Sequence, residues 1–286
     1  MKNRILKFSL AITLLIGSIS VNAQLKGDSF ETAKVSKKAN VVYTFSKTPG
    51  FIYSTSGGSY AGICVDIMSK FEQYIKAKYG ITVSAKYQLA SDDNFTRMLA
   101  SVKSGKGGVF GLGNITITNS RKKMYNFSPP FINNISLLVT NKSVTTLTKM
   151  EDMATVFKGM TAYTVKGSTN EIEFYRWKKA YFPEMKIAYV GSFSDAVNKV
   201  AADSKTFTNV DFTYYLDAVK AKRSVKRHVA GSSNSEEFGI IMPKSNDWAP
   251  VLADFFNSGF IGGDEYKTII RKHLGESAIK LLESVK

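Results

Sequence analysis

GNITITNSRKKMYNFSPPF, residues 113–131, places a Gly, a Thr and an Arg at fixed spacing ahead of a Phe-Ser-Pro-Pro turn. The arginine in this stretch, Arg121, has two candidate roles. An Arg guanidinium is a planar fork that can meet a carboxylate in two parallel hydrogen bonds. An exposed arginine paired with a surface acid would contribute only ~0–1 kcal/mol. The Thr-rich strand end before Arg121 favours the first role, in which the cation receives an acidic ligand.

The segments before this stretch alternate between strand and helix patterns. Over residues 40–116 the predicted order is strand, helix, strand, helix, strand. The first helix, at 62–80, spaces its apolar residues Ile67, Phe71 and Ile75 four apart, which is typical of a helix with one buried face. This order predicts a mostly parallel sheet covered by helices, and therefore an α/β fold.

The second half of the chain repeats this order. Residues 158–182 predict a strand, a Gly-Ser-Thr turn and a helix, and residues 236–244 predict a strand that returns to the first lobe. A chain of 286 residues is long for one core and suits two lobes. We therefore predict a discontinuous first lobe and an inserted second lobe with hinge strands at both of its ends. Their predicted limits are 24–134 plus 240–286 for the first lobe and 135–239 for the second.

The N-terminus has the pattern of a secretory signal. Three cations, Lys2, Arg4 and Lys7, precede a short apolar run, and Val-Asn-Ala ends the segment. The run is too short to span a bilayer comfortably, so cleavage after residue 23 is preferred over a membrane anchor. The pattern predicts an exported, soluble protein of the periplasm.

Charge and cysteine content limit the classes of partner. The formal net charge is +16, but the basic residues are scattered among acids, which favours a solvated basic face over a nucleic-acid site. The chain has one cysteine, so an internal disulfide is excluded. Cys64 lies in an apolar run and is expected to be a small core residue.

Five pieces of the chain, taken in order, carry a family resemblance. They are GICVDI at 62–67, the stretch 113–131, VKGST at 165–169, NVDF at 209–212 and EEFGIIMPK at 236–244. Together they resemble the extracellular solute-binding proteins of family 3, the amino-acid-type periplasmic binding proteins of ABC transporters. The most specific part is Thr-x-Thr-x-x-Arg followed by Phe-Ser-x-Pro, which is matched by Thr116, Thr118, Arg121, Phe127, Ser128 and Pro130. The resemblance implies the type II periplasmic-binding-protein fold, in which two hinge-connected α/β lobes close over a ligand.

The resemblance also implies roles for five residues. Arg121 would hold the ligand's α-carboxylate, and Thr116 would add a hydroxyl and a backbone N–H. The family has a Gly where Asn114 stands here, and the backbone carbonyl of Asn114 would still receive an α-ammonium although its side chain crowds the pocket. Ser168 and Thr169 match a turn at a helix start, which offers free N–H groups to the same carboxylate.

The partner of the amine and the aromatic platform are less well matched. The family places an Asp five residues after the Asp of a Val-Asp segment. Counting from Asp211 reaches Leu216, so Asp217 is the candidate only if the chain carries an extra residue. This departure leaves a small carboxylate without an amine as an alternative ligand. Phe51 and Tyr53 are the candidates for the aromatic ring that stacks on the ligand.

Enzyme functions are the main competing class, because a cyclohexadienyl dehydratase shares this fold. The chain has two histidines, His228 and His273, which are expected in basic, exposed helical segments. Glu171 and Glu173 stand two apart on a predicted helix and so point in different directions. We therefore predict no catalytic residues, no metal site and no cofactor.

The sequence-based hypothesis is that this exported protein captures a small polar solute between two lobes. The ligand is expected to be an amino acid or a small carboxylate, and the partner an ABC permease in the membrane. The protein is expected to be monomeric and not to bind nucleic acid. A ligand-sensing module for a separate receptor and a dehydratase-like enzyme remain as alternatives.

Overall fold

A computed structural model describes residues 24–283. The predicted signal at 1–23 lies outside the described residues. In chain order the strands are β1 (Lys38–Phe45), β2 (Tyr53–Ser54), β3 (Tyr60–Ala61), β4 (Thr82–Leu89), β5 (Val109–Leu112), β6 (Tyr125–Phe127), β7 (Ile132–Asn141), β8 (Thr161–Val165), β9 (Lys186–Val190), β10 (Thr206–Asp211), β11 (Val225–Phe238) and β12 (Ile241–Pro243).

Helices fill most of the segments between these strands. They are α1 (Phe30–Ser36), α2 (Ile63–Tyr79), α3 (Phe95–Ser104), α4 (Asn119–Met124), α5 (Met153–Val156), α6 (Thr169–Ala180), α7 (Phe193–Ala202), α8 (Phe212–Lys220), α9 (Ala249–Phe255) and α10 (Asp264–Glu283). The predicted alternation of strands and helices is confirmed, and the protein has an α/β fold. Within residues 24–283, none of these helices combines the length and apolarity needed to cross a lipid bilayer.

The first lobe is built on a five-stranded sheet of order β4-β1-β5-β12-β6. β1 runs parallel to both β4 and β5, whereas β12 is antiparallel to its neighbours. α2 packs its apolar face, which includes Ile67, Phe71 and Ile75, into the core of this lobe. Gly62 directly precedes α2; its φ is +134° and an added Cβ would clash with the backbone oxygen of Phe51, so only glycine fits.

The second lobe contains a five-stranded sheet of order β11-β7-β10-β8-β9. β8 is parallel to β9 and β10, and β7 is antiparallel to β10 and β11. In both lobes the carboxyl ends of neighbouring parallel strands meet at one sheet edge, which is the edge where ligands bind in open α/β sheets. The residues that follow β1 and β5 therefore face those that follow β8 and β10.

Two neighbouring crossings join the lobes. The chain enters the second lobe at the start of β7 and leaves it at the end of β11, where Ile132 pairs with Phe238. Further along the same pair of strands, Asn134 pairs with Glu236 and Ser136 with Ser233, with register shifts between them. The crossings lie within a few residues of the predicted lobe limits at 134/135 and 239/240, which themselves stay a prediction.

His228 differs from its sequence-based expectation. It lies on strand β11 instead of a helix and is completely buried. Its Nδ1 accepts a hydrogen bond from the Leu147 N–H at 2.9 Å, so Nε2 carries the proton and donates to Thr140 Oγ1 at 2.7 Å. Its basic neighbour Arg227 is exposed, because successive residues of a strand face opposite sides.

The buried His228 predicts loss of stability in acid. Burial, with a smaller effect of Lys226, lowers the pKa of His228 from 6.5 to about 4. Below pH 6.5 the unfolded chain binds a proton that the folded chain does not, so the free energy of unfolding falls by about 3 kcal/mol between pH 6.5 and 4. His228→Gln should lack this pH-dependent component in urea unfolding. Identical pH profiles for the two proteins would contradict the prediction.

Cys64 is expected to be chemically inert in the folded protein. It is fully buried in α2, with its Sγ 3.8 Å from the Gly113 carbonyl oxygen, and burial raises the pKa of its thiol to about 12. The thiolate, which is the reactive form, is therefore almost absent at neutral pH. Ellman's reagent at pH 8 should detect no thiol in the native protein and one in urea. Rapid reaction of the native protein would show that the site opens.

Candidate functional site

A small cavity lies between the facing edges of the two sheets. Its volume is about 20 Å³, little more than one water molecule needs. Both lobes contribute polar side chains to its lining. The ones that matter most are Thr48, Asn114, Thr116 and Arg121 from the first lobe and Ser168 and Asp211 from the second.

Arg121 is buried at this cavity, with 6% of its surface exposed. Its position follows from the local sequence, because Thr118 caps helix α4 by accepting the Arg121 N–H at 3.1 Å. Nη1 donates to the Thr116 carbonyl at 3.0 Å, and Nη2 reaches across the cleft to the Gly167 carbonyl at 3.2 Å. The guanidinium also stacks on Phe95, 5.5 Å from the ring centroid.

The guanidinium of Arg121 stays a cation with spare donors. Burial lowers the pKa of Arg121 from its ordinary value, and the carboxylates of Glu236 and Asp211 oppose that shift. Arginine nevertheless remains protonated in proteins. The bonds to Thr116 and Gly167 use two of its five N–H donors. The others are free to meet a further acceptor in the cavity.

The turn before α6 brings a helix N-terminus to the same cavity. Ser168 caps the helix by accepting the Glu171 N–H at 3.1 Å, and the Glu171 carboxylate accepts the Gly167 N–H at 2.7 Å. The first-turn N–H groups of Thr169 and Asn170 have no acceptor within the helix and carry its positive dipole end. Thr169 also meets Thr116 of the other lobe, with 3.4 Å between their hydroxyl oxygens.

Asp211 is a buried carboxylate on the second-lobe side of the cavity. It ends strand β10, all of whose residues are buried, and is itself 3% exposed. Its Oδ1 accepts from Asn134 Nδ2 at 2.8 Å, and its Oδ2 accepts from Asn114 Nδ2 of the first lobe. Burial, together with the charge of Glu236, raises the pKa of Asp211 from 3.8 to about 7, against the lowering effect of its amide donors.

The structure brings together five of the residues that the sequence predicted for the site and separates three others from it. Arg121, Thr116, Asn114, Ser168 and Thr169 all line the cavity. The other three are Phe51, Tyr53 and Asp217.

Phe51 lies in the hydrophobic core of the first lobe, where it is fully buried between Phe131 and Phe238. It therefore has no face left on which a ligand could stack, and the prediction of a Phe51 platform is wrong. Phe95, under the Arg121 guanidinium, is an aromatic ring that does line the cavity.

Tyr53 and Asp217 line a different and wider groove, of about 740 Å³. Asp217 is exposed on α8, past the strand end that reaches the cavity. The Tyr53 hydroxyl lies 3.3 Å from His273 Nδ1, and His273 Nε2 lies 2.8 Å from Asp66. The His273 side chain is only 2% exposed, which corrects the expectation of an exposed histidine.

Asp211 was not among the predicted site residues, because the sequence analysis took it only as the start of the Val-Asp segment that led to Asp217. The available signal was a carboxylate at the end of a strand without a single exposed residue, in TFTNVD at 206–211. A buried strand that ends on a charged residue delivers that charge to the functional edge of the sheet. Thr48 and Asn134 carried no such signal, because their roles depend on contacts between distant segments.

The described residues hold no arrangement that suggests metal binding. Within 24–283, no three His, Cys, Asp or Glu side chains are grouped so that they could hold a metal ion. The cavity instead combines a cation, a carboxylate, hydroxyls and a helix N-terminus. Such a set is complementary to a small polar molecule that carries charge of both signs.

Comparison with known proteins places this arrangement in a family. Residues 41–276 match the bacterial extracellular solute-binding proteins, family 3. No curated protein sequence matches the chain.

Many solved structures have a similar fold. An ancestral arginine-binding protein bound to glutamine has a TM-score of 0.67 and 22% identity, over 83% of this chain and 98% of its own. The arginine-, lysine-, histidine-binding protein ArtJ from Geobacillus stearothermophilus has a TM-score of 0.66 and 18% identity, over 83% of this chain and 96% of its own.

A third relative is the substrate-binding protein of an ABC uptake transporter from Streptococcus pneumoniae, solved with bound histidine. It has a TM-score of 0.68 and 21% identity, over 87% of this chain and 97% of its own. These likenesses confirm the two-lobe fold, and the family match covers most of the chain. The chain belongs to the bacterial extracellular solute-binding proteins, family 3.

Proposed function

We propose that this protein binds an α-amino acid between its two lobes and delivers it to an ABC transporter. The observation that carries the proposal is that a buried guanidinium, Arg121, and a buried carboxylate, Asp211, line the same cavity from opposite lobes. An α-amino acid has a carboxylate and an ammonium on neighbouring atoms. Buried charges are costly unless paired, so a zwitterion satisfies both groups at once.

The ligand's carboxylate is assigned to the first lobe's cation and the second lobe's helix start. Arg121 keeps N–H donors beyond those used by Thr116 and Gly167. The Thr169 and Asn170 N–H groups open α6, and the Thr116 hydroxyl lies beside them. A carboxylate that accepts from both sides would bridge the lobes with charge-assisted hydrogen bonds.

Binding requires the lobes to move. The cavity volume of about 20 Å³ is far below the ~300 Å³ of a small-molecule pocket. Arg121 contacts the Gly167 carbonyl, Asn114 contacts Asp211, and the Thr96 hydroxyl donates to the Lys166 carbonyl at 2.8 Å, each across the cleft. These bonds must break for a ligand to enter, and contacts through the ligand replace them when the lobes close again.

The direct test is a thermal-shift screen of the chain from Gln24 onward against the twenty L-amino acids and small carboxylates. The protein is first unfolded in urea and refolded, to release any bound solute. At one hundred times its Kd, a ligand stabilises the fold by about 2.7 kcal/mol, which raises Tm by several degrees. Calorimetry then gives the affinity. Absence of any shift across the panel would overturn the proposal.

The remaining parts of the proposal concern location and partner. A periplasmic, monomeric protein that meets a membrane permease fits the predicted signal and the family's extracellular members. Uptake of the ligand identified by calorimetry, measured in cells with and without this gene, tests the delivery step. Normal uptake in the deletion strain, together with tight binding by the pure protein, would instead favour the sensor alternative.

A further inference from the structure

The Asn114 side chain connects the two lobes inside the cavity. It follows strand β5 in the first lobe and is 8% exposed. Its Oδ1 accepts from Thr48 Oγ1 at 3.0 Å within the first lobe, and its Nδ2 donates to Asp211 Oδ2 in the second. The Tyr214 hydroxyl lies 3.4 Å from Thr48 Oγ1 and extends the chain of polar contacts. Both ends of the amide are therefore engaged.

The two side-chain amides that donate hydrogen bonds to Asp211 come from different parts of the fold. Asn134 belongs to β7, which pairs with β10 in the second-lobe sheet, so its 2.8 Å bond to Asp211 does not span the cleft. Asn134 also donates to Glu236 Oε2 at 2.8 Å, which fixes its orientation. Asn114 comes from the other lobe and leaves Asp211 when the cleft opens. The oxygen it leaves, Oδ2, is the one that an entering ammonium can use.

We propose that the Asn114 amide occupies the place of the ligand's cationic nitrogen at Asp211 and thereby determines how strictly the site requires an amine. The inference rests on the proposed function. An ammonium brings a full positive charge to the ionised carboxylate, which the neutral amide of Asn114 lacks, so an amino acid displaces Asn114. A carboxylate without an amine leaves Asn114 in place, and Asp211 stays paired.

This arrangement predicts weak discrimination against ligands that lack the amine. A site built to bond a ligand's N–H usually rejects the analogue without it by several orders of magnitude, because the buried protein group is left unpaired. Asn114 removes that penalty by pairing Asp211 itself. The glycine that the family resemblance implies at this position has no side chain to do so.

The test compares Asn114→Ala with the wild type on matched ligand pairs. The pairs are L-alanine with propionate, L-glutamine with glutaramate, and L-histidine with imidazolepropionate, each titrated by calorimetry. The quantity of interest is the ratio of the Kd of the acid to that of its amino acid. Removing the amide should lower the Kd of the amino acid and raise the Kd of the deaminated acid, so the ratio should rise at least tenfold. Asn257→Ala, an exposed asparagine of the first lobe, is the control and should leave the ratio unchanged.

A second variant keeps the Asn114 amide but removes the hydrogen bond that holds it in position. Thr48→Val removes the hydroxyl that holds Oδ1 and should shift the ratio in the same direction by a smaller factor. An unchanged ratio in Asn114→Ala, while both members of a pair still bind, overturns this inference and leaves the proposed function intact. If no amino acid binds to either protein, the inference and the proposed function are both overturned.

Discussion

Arg121→Ala is expected to weaken amino-acid binding by at least a hundredfold. Arg121 is 6% exposed at the cleft and has N–H donors left for a carboxylate. Two hydrogen bonds to a charged group contribute roughly 1.5–3 kcal/mol each, and each 1.4 kcal/mol is a factor of ten. The measurement is calorimetry with the amino acid that gives the largest thermal shift.

Two variants make this result interpretable. Arg121→Lys keeps the charge and loses the planar fork, so its affinity should lie between those of the wild type and the alanine variant. Arg176→Ala removes an exposed arginine of α6, 74% exposed, and should bind normally. Because Arg121 also bonds the Thr116 and Gly167 carbonyls, the circular dichroism of Arg121→Ala must first show that it folds. Unchanged affinity in the folded variant would place the ligand elsewhere.

Asp211→Asn is expected to abolish the pH dependence of binding and to weaken amino acids by at least tenfold. The pKa of Asp211 is raised to about 7 by burial and by Glu236, with its amide partners opposing the shift. Arg121 and Tyr214 are the other ionisable groups near it. An ammonium binds the ionised carboxylate, so wild-type affinity should fall up to tenfold for each pH unit below about 7.

Calorimetry between pH 5 and 8 checks this expectation, and Glu184→Gln, at an exposed position of the second lobe, is the control. The deaminated partner of the same ligand should bind both proteins alike at pH 8. A pH profile in Asp211→Asn as steep as that of the wild type would assign the titration to another group.

The same pKa shift affects stability without ligand. Between pH 3.8 and about 7 the folded protein holds a proton on Asp211 that the unfolded chain releases. Its contribution to the free energy of unfolding therefore falls as pH rises through this window, by roughly 4 kcal/mol in total. The His228 contribution has the opposite sign below pH 6.5. The difference between Asp211→Asn and wild type isolates the Asp211 contribution, because His228 is common to both.

The predicted site residues that the structure brings to the cavity are those positioned by contacts within a few residues. Thr118 caps α4 and so places Arg121 on the cavity side of the helix, and Ser168 caps α6 and so presents the N–H of Thr169. Capping depends on residues three apart, which a sequence displays directly. The positions of these side chains could therefore be predicted from a short stretch of sequence.

The residues that were misplaced are those whose surroundings come from distant segments. Phe51 is buried by Phe131 and Phe238, which lie where the chain crosses between the lobes. Asp211 and Asp217 are six residues apart in one segment, yet a strand end faces the cleft and a helix turn faces away. Their spacing in the sequence could not separate these outcomes.

The sequence by itself determined an α/β chain and the placement of Arg121 behind a capped helix start, because periodicity and helix caps are local and each is visible in a short window. Only the tertiary structure decided that Asp211 is buried at the same cavity as Arg121 and that Asn114 contacts it. The reason is that burial and hydrogen bonding across the cleft depend on how two separately formed sheets face each other.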